Sequence, residues 1–218
     1  RKREKPKTPM SALGIDVARG GKDNTLLAPR YDNYFAELEN YPGKSTPDGQ
    51  AVAALAIQAI NTLNGNAETH INIDIIGVGS SPFDFTKTIH KKTHPMNASE
   101  GSDARDKSGQ LAFVNKRAEW YWKFREALDP SSGQEIALPD DRELLSDLCS
   151  VRWKLTVRGI QMELKEDIIK RLGRSPDKGD AVVYAAAIEF GIGGNLLAFY
   201  EMKNKMAAQE ATARPQPK

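Results

Sequence analysis

The chain has 218 residues, 39% hydrophobic and 7% aromatic, enough to bury the core of one well-packed domain with extensions, or of two small ones. A formal net charge of +2 excludes a simple polycation, and a single cysteine, Cys149, excludes an internal disulfide framework and fits a reducing compartment. No apolar run is long enough to cross a membrane as a helix. The first ten residues carry Arg1, Lys2, Arg3, Lys5 and Lys7 against Glu4, and with Pro6 and Pro9 they read as an extended linker. Because the chain starts at Arg1 without a Met, it is expected to be a piece of a longer polypeptide.

Alternation marks the first strand. Ser11, Leu13, Ile15 and Val17 face one way, Ala12, Gly14, Asp16 and Ala18 the other, until Gly20-Gly21 breaks the pattern. Residues 25–29 and 31–38 read as two further strands of an antiparallel meander closed by Tyr41-Pro42-Gly43. Gly43-Lys44-Ser45 resembles the end of a phosphate-binding loop. Leu38 stands where that loop needs a glycine, however, and Pro42 lies inside it, so the segment is read as a turn. Thr46 is the expected cap of a helix with Pro47 at its first position and Val52, Leu55, Ala56, Ala59, Ile60 and Leu63 on its apolar face, ended by Asn64-Gly65. A β-branched strand over 71–76 runs into Gly77-Val78-Gly79, and a short helix follows over 83–90.

Residues 97–110 read as a polar loop, and 115–128 as a helix ended by Asp129-Pro130. Asp140 is the expected cap of a helix through Leu148, and residues 151–157 and 160–164 form a hairpin joined at Arg158-Gly159. A charged helix over 165–172 stops at Gly173, and an Ala-rich buried helix starts at Asp177 or Asp180. One more helix is expected over 195–208, before a disordered Pro-containing end.

Three acidic sites have related settings. Asp16 lies on a strand face of very small side chains with room for a hydrated cation, Asp74 precedes a glycine turn, and Asp177 and Asp180 open a helix. Oxygen donors of this kind suit hard divalent cations, and crowded carboxylates repel one another unless a cation or proton joins them. A zinc set is not offered, since His70, His90 and His94 have no supporting cysteine or second ligand set. Trp120, Tyr121 and Trp122 are read as core or interdomain packing, and Arg152, Lys154 and Arg158 on the hairpin, with Lys107, Lys116 and Arg117, as candidate phosphate contacts.

Taken in order, Gly14-Ile15-Asp16 with Gly20-Gly21-Lys22-Asp23, Ile73-Asp74 with Gly77 and Gly79, and Ser175-Pro176-Asp177-Lys178-Gly179-Asp180-Ala181 resemble the nuclease domain of tailed-phage large terminase subunits. The Phe113–Leu128 stretch, with Asn115-Lys116-Arg117-Ala118-Glu119, and Lys165 ahead of the Ser-Pro-Asp signature look like the same family. The resemblance implies an α/β, RNase H-like fold: a mixed central sheet flanked by helices, with an auxiliary β-hairpin. It implies residues 1–10 as a linker from an ATPase, 11–190 as the nuclease domain, and 191–218 as a C-terminal helix and flexible tail.

It further implies an endonuclease with two ions, Mg²⁺ or Mn²⁺, that cuts concatemeric double-stranded viral DNA during genome packaging. Its expected partners are DNA, the ATPase motor, the small terminase subunit and the portal, with no membrane, and its expected location is the host cytoplasm. Carried over by position, Asp16 and Asp74 match the first two metal ligands and Asp180 the third, with Asp177 as alternate or outer ligand and Asp23 and Lys165 as auxiliary groups. Gly179 departs from the pattern, where Ala is more usual, and is expected to loosen the turn. Two other readings remain: another nuclease of this fold class, of resolvase or transposase type, and a non-catalytic module that docks on DNA or a portal ring.

Overall fold

The computed structural model describes residues 4–18, 23–76 and 80–187. The glycine turns at 20–21 and 77–79, the helix expected over 195–208 and the C-terminal tail lie outside the described residues. Eight strands and six helices follow in order among those described: β1 (Ala12–Asp16), β2 (Asn24–Tyr31), β3 (Tyr34–Phe35), β4 (Glu39–Pro42), α1 (Gly49–Thr62), β5 (His70–Asp74), α2 (Ser80–Ile89), β6 (Thr93–Met96), α3 (Lys116–Leu128), α4 (Arg142–Ser150), β7 (Trp153–Thr156), β8 (Gly159–Met162), α5 (Lys165–Leu172) and α6 (Asp177–Ala186).

The main sheet runs β3-β2-β1-β5-β6, with β4 also paired to β2. β1, β2, β3 and β4 pair antiparallel, whereas β5 and β6 add to β1 in parallel, which gives the mixed sheet that the resemblance implies. The period-two pattern divides its faces. Leu13, Ile15, Leu27, Ile71 and Ile73 bury against Val52, Ala56, Ala59 and Ile60 of α1. On the opposite face Leu26, Ala28 and Met96 pack with Trp120, Tyr121 and Phe124 of α3 and with the alanines and valines of α6. Trp120 meets Tyr184 edge-on at 5.8 Å and Trp122 meets Trp153 of the hairpin at 4.7 Å, so these rings do pack internally.

Several boundaries differ from expectation. The strand expected over 31–38 is interrupted, because Asp32 adopts φ 52° in a tight turn; only Tyr34–Phe35 pairs within it, and the next strand starts at Glu39. Asp48, not Thr46, caps α1: its extended backbone lets the carboxylate accept from the Ala51 N–H at 2.8 Å, while the Thr46 hydroxyl is buried 2.9 Å from Thr25 Oγ1. Asp141, not Asp140, caps α4 through the Glu143 and Leu144 N–H groups. β6 escaped the sequence reading because it is short and contains Pro95, which an edge strand tolerates. α5 and its stop at Gly173, in the left-handed region at φ 77°, fall where the sequence placed them. His70 and His94 bond to each other at 2.9 Å and His90 contacts the Thr69 carbonyl at 2.6 Å, consistent with structural roles. No helix among the described residues is long and apolar enough to cross a membrane.

Candidate metal centre

Ile15 and Ile73 stand opposite each other in the parallel β1–β5 pair, so Asp16 and Asp74, one residue on, emerge side by side at the strand ends. They point to the face that carries α6. That helix sits unusually close to β1, since a Cβ on Gly14 would lie 2.1 Å from the Ala181 carbonyl oxygen and 2.4 Å from the Ala185 nitrogen. Two buried side chains tether its far end: Asn72 donates to the Tyr184 carbonyl at 2.7 Å and Arg30 to the Ala185 carbonyl at 2.9 Å. The Tyr184 carbonyl accepts from the Ala187 N–H as well, at 3.2 Å. The first turn of α6 thereby brings Asp177 and Asp180 over the ends of β1 and β5.

One oxygen from each of Asp16, Asp177 and Asp180 lies within 4.8 Å of the others. Asp74 borders this trio rather than joining it, with its Oδ1 accepting from the Ile76 N–H at 2.9 Å. Lys165 reaches in from the start of α5, its Nζ 3.0 Å from Asp177 Oδ1, 3.0 Å from Asp180 Oδ2 and 3.8 Å from Asp16 Oδ2. The ammonium therefore sits where the negative charge converges.

The two buried carboxylates titrate in opposite directions. Burial pushes Asp16 well above the usual carboxylate range; Lys165 opposes this, and the charges of Asp180, Asp177 and Asp74 reinforce it. Burial acts to raise Asp180 too, but Lys165, Arg117 and the Tyr121 hydroxyl outweigh it and hold Asp180 below its ordinary value. Asp74 is pushed up to about 6, mainly by burial, against the Ile76 hydrogen bond and the Lys165 charge. For Lys165 itself, burial is overcome by Asp180, Asp16 and Asp177, so it stays protonated.

Other sequence candidates fall elsewhere. Asp23 is exposed just before β2 and outside the carboxylate trio. Arg152, Lys154 and Arg158 are exposed on the β7–β8 hairpin, which leads through Glu163 and Leu164 directly into Lys165. Lys116, weighed above as a phosphate contact, is instead buried against Glu119 at 2.9 Å, and Arg117 is largely covered. Gly179 does not loosen its turn: a Cβ there would lie 3.0 Å from Asp147 Cβ, so glycine lets α4 and α6 close together. Asp147, fully buried, accepts from the Gly179 N–H at 3.3 Å and pairs with Arg174 at 2.5 Å.

No family model and no curated protein matches the sequence. Solved structures do match. The nuclease domain of the large terminase subunit gp2 of bacterial virus Sf6 superposes with a TM-score of 0.62 at 20% identity, over 81% of this chain and 87% of that chain. The chain shares the fold of large terminase nuclease domains. A mutant of the Sf6 domain with manganese and beta-thujaplicinol gives a TM-score of 0.62 at 19% identity, over 83% of this chain and 89% of that chain. The large terminase nuclease from thermophilic phage G20c with bound magnesium gives 0.53 at 14% identity, over 84% of this chain and 83% of that chain.

On this fold the donor set suits a hard divalent cation: it is anionic, made only of oxygens, and partly buried, and its three carboxyl groups are offset in part by a single ammonium. Sequence reasoning missed Tyr121, whose hydroxyl donates to Asp180 Oδ1 at 2.6 Å, and Asp147, which secures the first turn of α6. A tyrosine on a core-facing helix carries no signal for the first. For the second, an acidic residue within an amphipathic helix reads as solvated charge.

Proposed function

We propose that this chain is a metal-dependent DNA endonuclease that cuts concatemeric double-stranded viral DNA during genome packaging. The observation that carries the reading is the meeting of Asp16, Asp177 and Asp180, with Asp74 at the neighbouring strand end, within a terminase-type nuclease fold. Asp16, Asp180 and Asp177 would hold divalent cations, with Asp74 beside Asp16 completing a site for a second ion. Mg²⁺ or Mn²⁺ bound there supplies a Lewis acid for the scissile phosphate and a water activated for attack.

The chain's own residues set the conditions for that chemistry. Lys165, Arg117 and Tyr121 favour the carboxylate form of Asp180, whereas burial favours the protonated form of Asp16, so a cation there would compete with a proton. Lys165 screens the acidic site, which would otherwise repel a phosphodiester. Arg152, Lys154 and Arg158 provide cationic surface on the adjoining hairpin to hold the DNA backbone. In the intact packaging enzyme, in the host cytoplasm, the domain would act beside an ATPase motor, the small terminase subunit and the portal.

The test is incubation with supercoiled plasmid, with and without Mg²⁺ or Mn²⁺, beside Asp16→Asn. Nicking and linearisation that require the metal are expected, and should drop to background in the variant while its circular dichroism stays that of the parent. Cleavage that survives the substitution would remove Asp16 from the mechanism. A preference for branched DNA over plain duplex would favour a resolvase instead.

A further inference from the structure

We propose that Arg117 and Tyr121 are positioning residues that hold one oxygen of Asp180 and so aim the other at the metal. The inference rests on the function proposed above and goes beyond it to residues that touch neither metal nor DNA. Arg117 and Tyr121 lie one turn apart on α3, on the side that faces α6. The Tyr121 hydroxyl donates to Asp180 Oδ1 at 2.6 Å, a short charge-assisted bond. Arg117 Nη2 comes within 3.8 Å of the same oxygen and forms no hydrogen bond of its own.

The guanidinium is itself fixed from two sides. It stacks over the Tyr121 ring, 4.9 Å from the centroid, and its Nη1 donates to the Glu163 carbonyl at 2.9 Å. Glu163 stands two residues before Lys165, so one arginine ties the exit of the hairpin to a carboxylate of the site. Asp180 thus has a division of labour between its oxygens. Oδ1 is occupied from the core side by a phenol and a guanidinium, and Oδ2 meets Lys165 at 3.0 Å, alongside Asp177 and Asp16. A carboxylate held in this way presents a single oxygen in a set direction and resists turning both oxygens onto one ion. Groups that orient a metal ligand from behind set how tightly the metal binds.

The experiment is calorimetric titration of Mn²⁺ into the whole chain and into Tyr121→Phe, which keeps the ring and removes only the hydroxyl. The expected result is a dissociation constant about 10–100-fold weaker in the variant. A crystal structure of the metal-free variant should show the Asp180 carboxylate rotated away from its position in the parent. If the hydroxyl serves only to satisfy a buried group, the melting temperature falls while Mn²⁺ affinity stays that of the parent, and that result overturns the proposal. Asp16→Asn separates the two levels. Loss of Mn²⁺ binding in Asp16→Asn but not in Tyr121→Phe overturns this inference alone, whereas a parent protein that takes up no Mn²⁺ overturns the proposed function along with it.

Discussion

Asp16 and Asp180 are both buried, yet their carboxyls shift in opposite directions, because only Asp180 has a phenol and a guanidinium behind it as well as an ammonium in front. Lys165 places an ammonium where Asp16, Asp177 and Asp180 converge. Replacing it with Ala should tighten Mn²⁺ binding roughly tenfold, once screening at this partly open position is allowed for. The metal-free variant should also melt at a lower temperature, since the acidic side chains lose their countercharge. Calorimetric titration and a thermal melt check both; weaker Mn²⁺ binding would mean that the lysine supports the ions rather than competing with them. At this scale the sequence reading singled out Asp16, Asp74, Asp177 and Asp180 for their places at the end of a strand or the start of a helix, and an oxygen from each of Asp16, Asp177 and Asp180 lies within 4.8 Å of the others. Asp23 lacked such a position and stays apart. Tyr121 stayed hidden because its chemistry depends on what the far end of its ring touches.

Among the elements, the seat of α6 on β1 matters most, since it brings the two halves of the acidic cluster together. It depends on a missing side chain. Gly14→Ala would force a methyl into the backbone of Ala181 and Ala185, which has no flexible end to give way. A loss of about 3 kcal/mol is expected, at the upper end for overpacking, and urea unfolding would measure it. Stability equal to the parent's would show that α6 can lift without cost. Asn72 and Arg30 hold the other end of the helix, and Asp147 its first turn. Periodicity located α1, whereas α5 was read from its charge and its stop at Gly173 and α6 from its Ala-rich composition. The sequence reading found the antiparallel meander but ran its strand over 31–38 through the turn at Asp32, and it overlooked β6, which contains Pro95 at the sheet edge.

Among the described residues, Asp16, Asp177 and Asp180 gather at one end of the sheet, and the hairpin that carries Arg152, Lys154 and Arg158 leads into that site at Lys165. An acidic centre holds a polyanion only if cationic surface nearby offsets the repulsion. Replacing Arg152, Lys154 and Arg158 together by Ala should weaken DNA retention. It should also lower the slope of log affinity against log salt by about one for each phosphate contact removed. Filter binding over a salt series measures both, and an unchanged slope would place the DNA elsewhere.

The mixed sheet was implied by the family resemblance. Strand and helix periods, small residues on the face of Asp16 and acids at element ends were all written locally along the chain, and from them came the antiparallel meander, the hairpin and the ligand candidates. Those features depend on near neighbours, which a linear reading can see. Which carboxylates converge, that Asp16 and Asp180 shift in opposite directions, and that Tyr121 and Arg117 stand behind Asp180 came only with the packed fold. Each is set by distances of a few ångströms between segments tens of residues apart, and by the burial that makes those distances count.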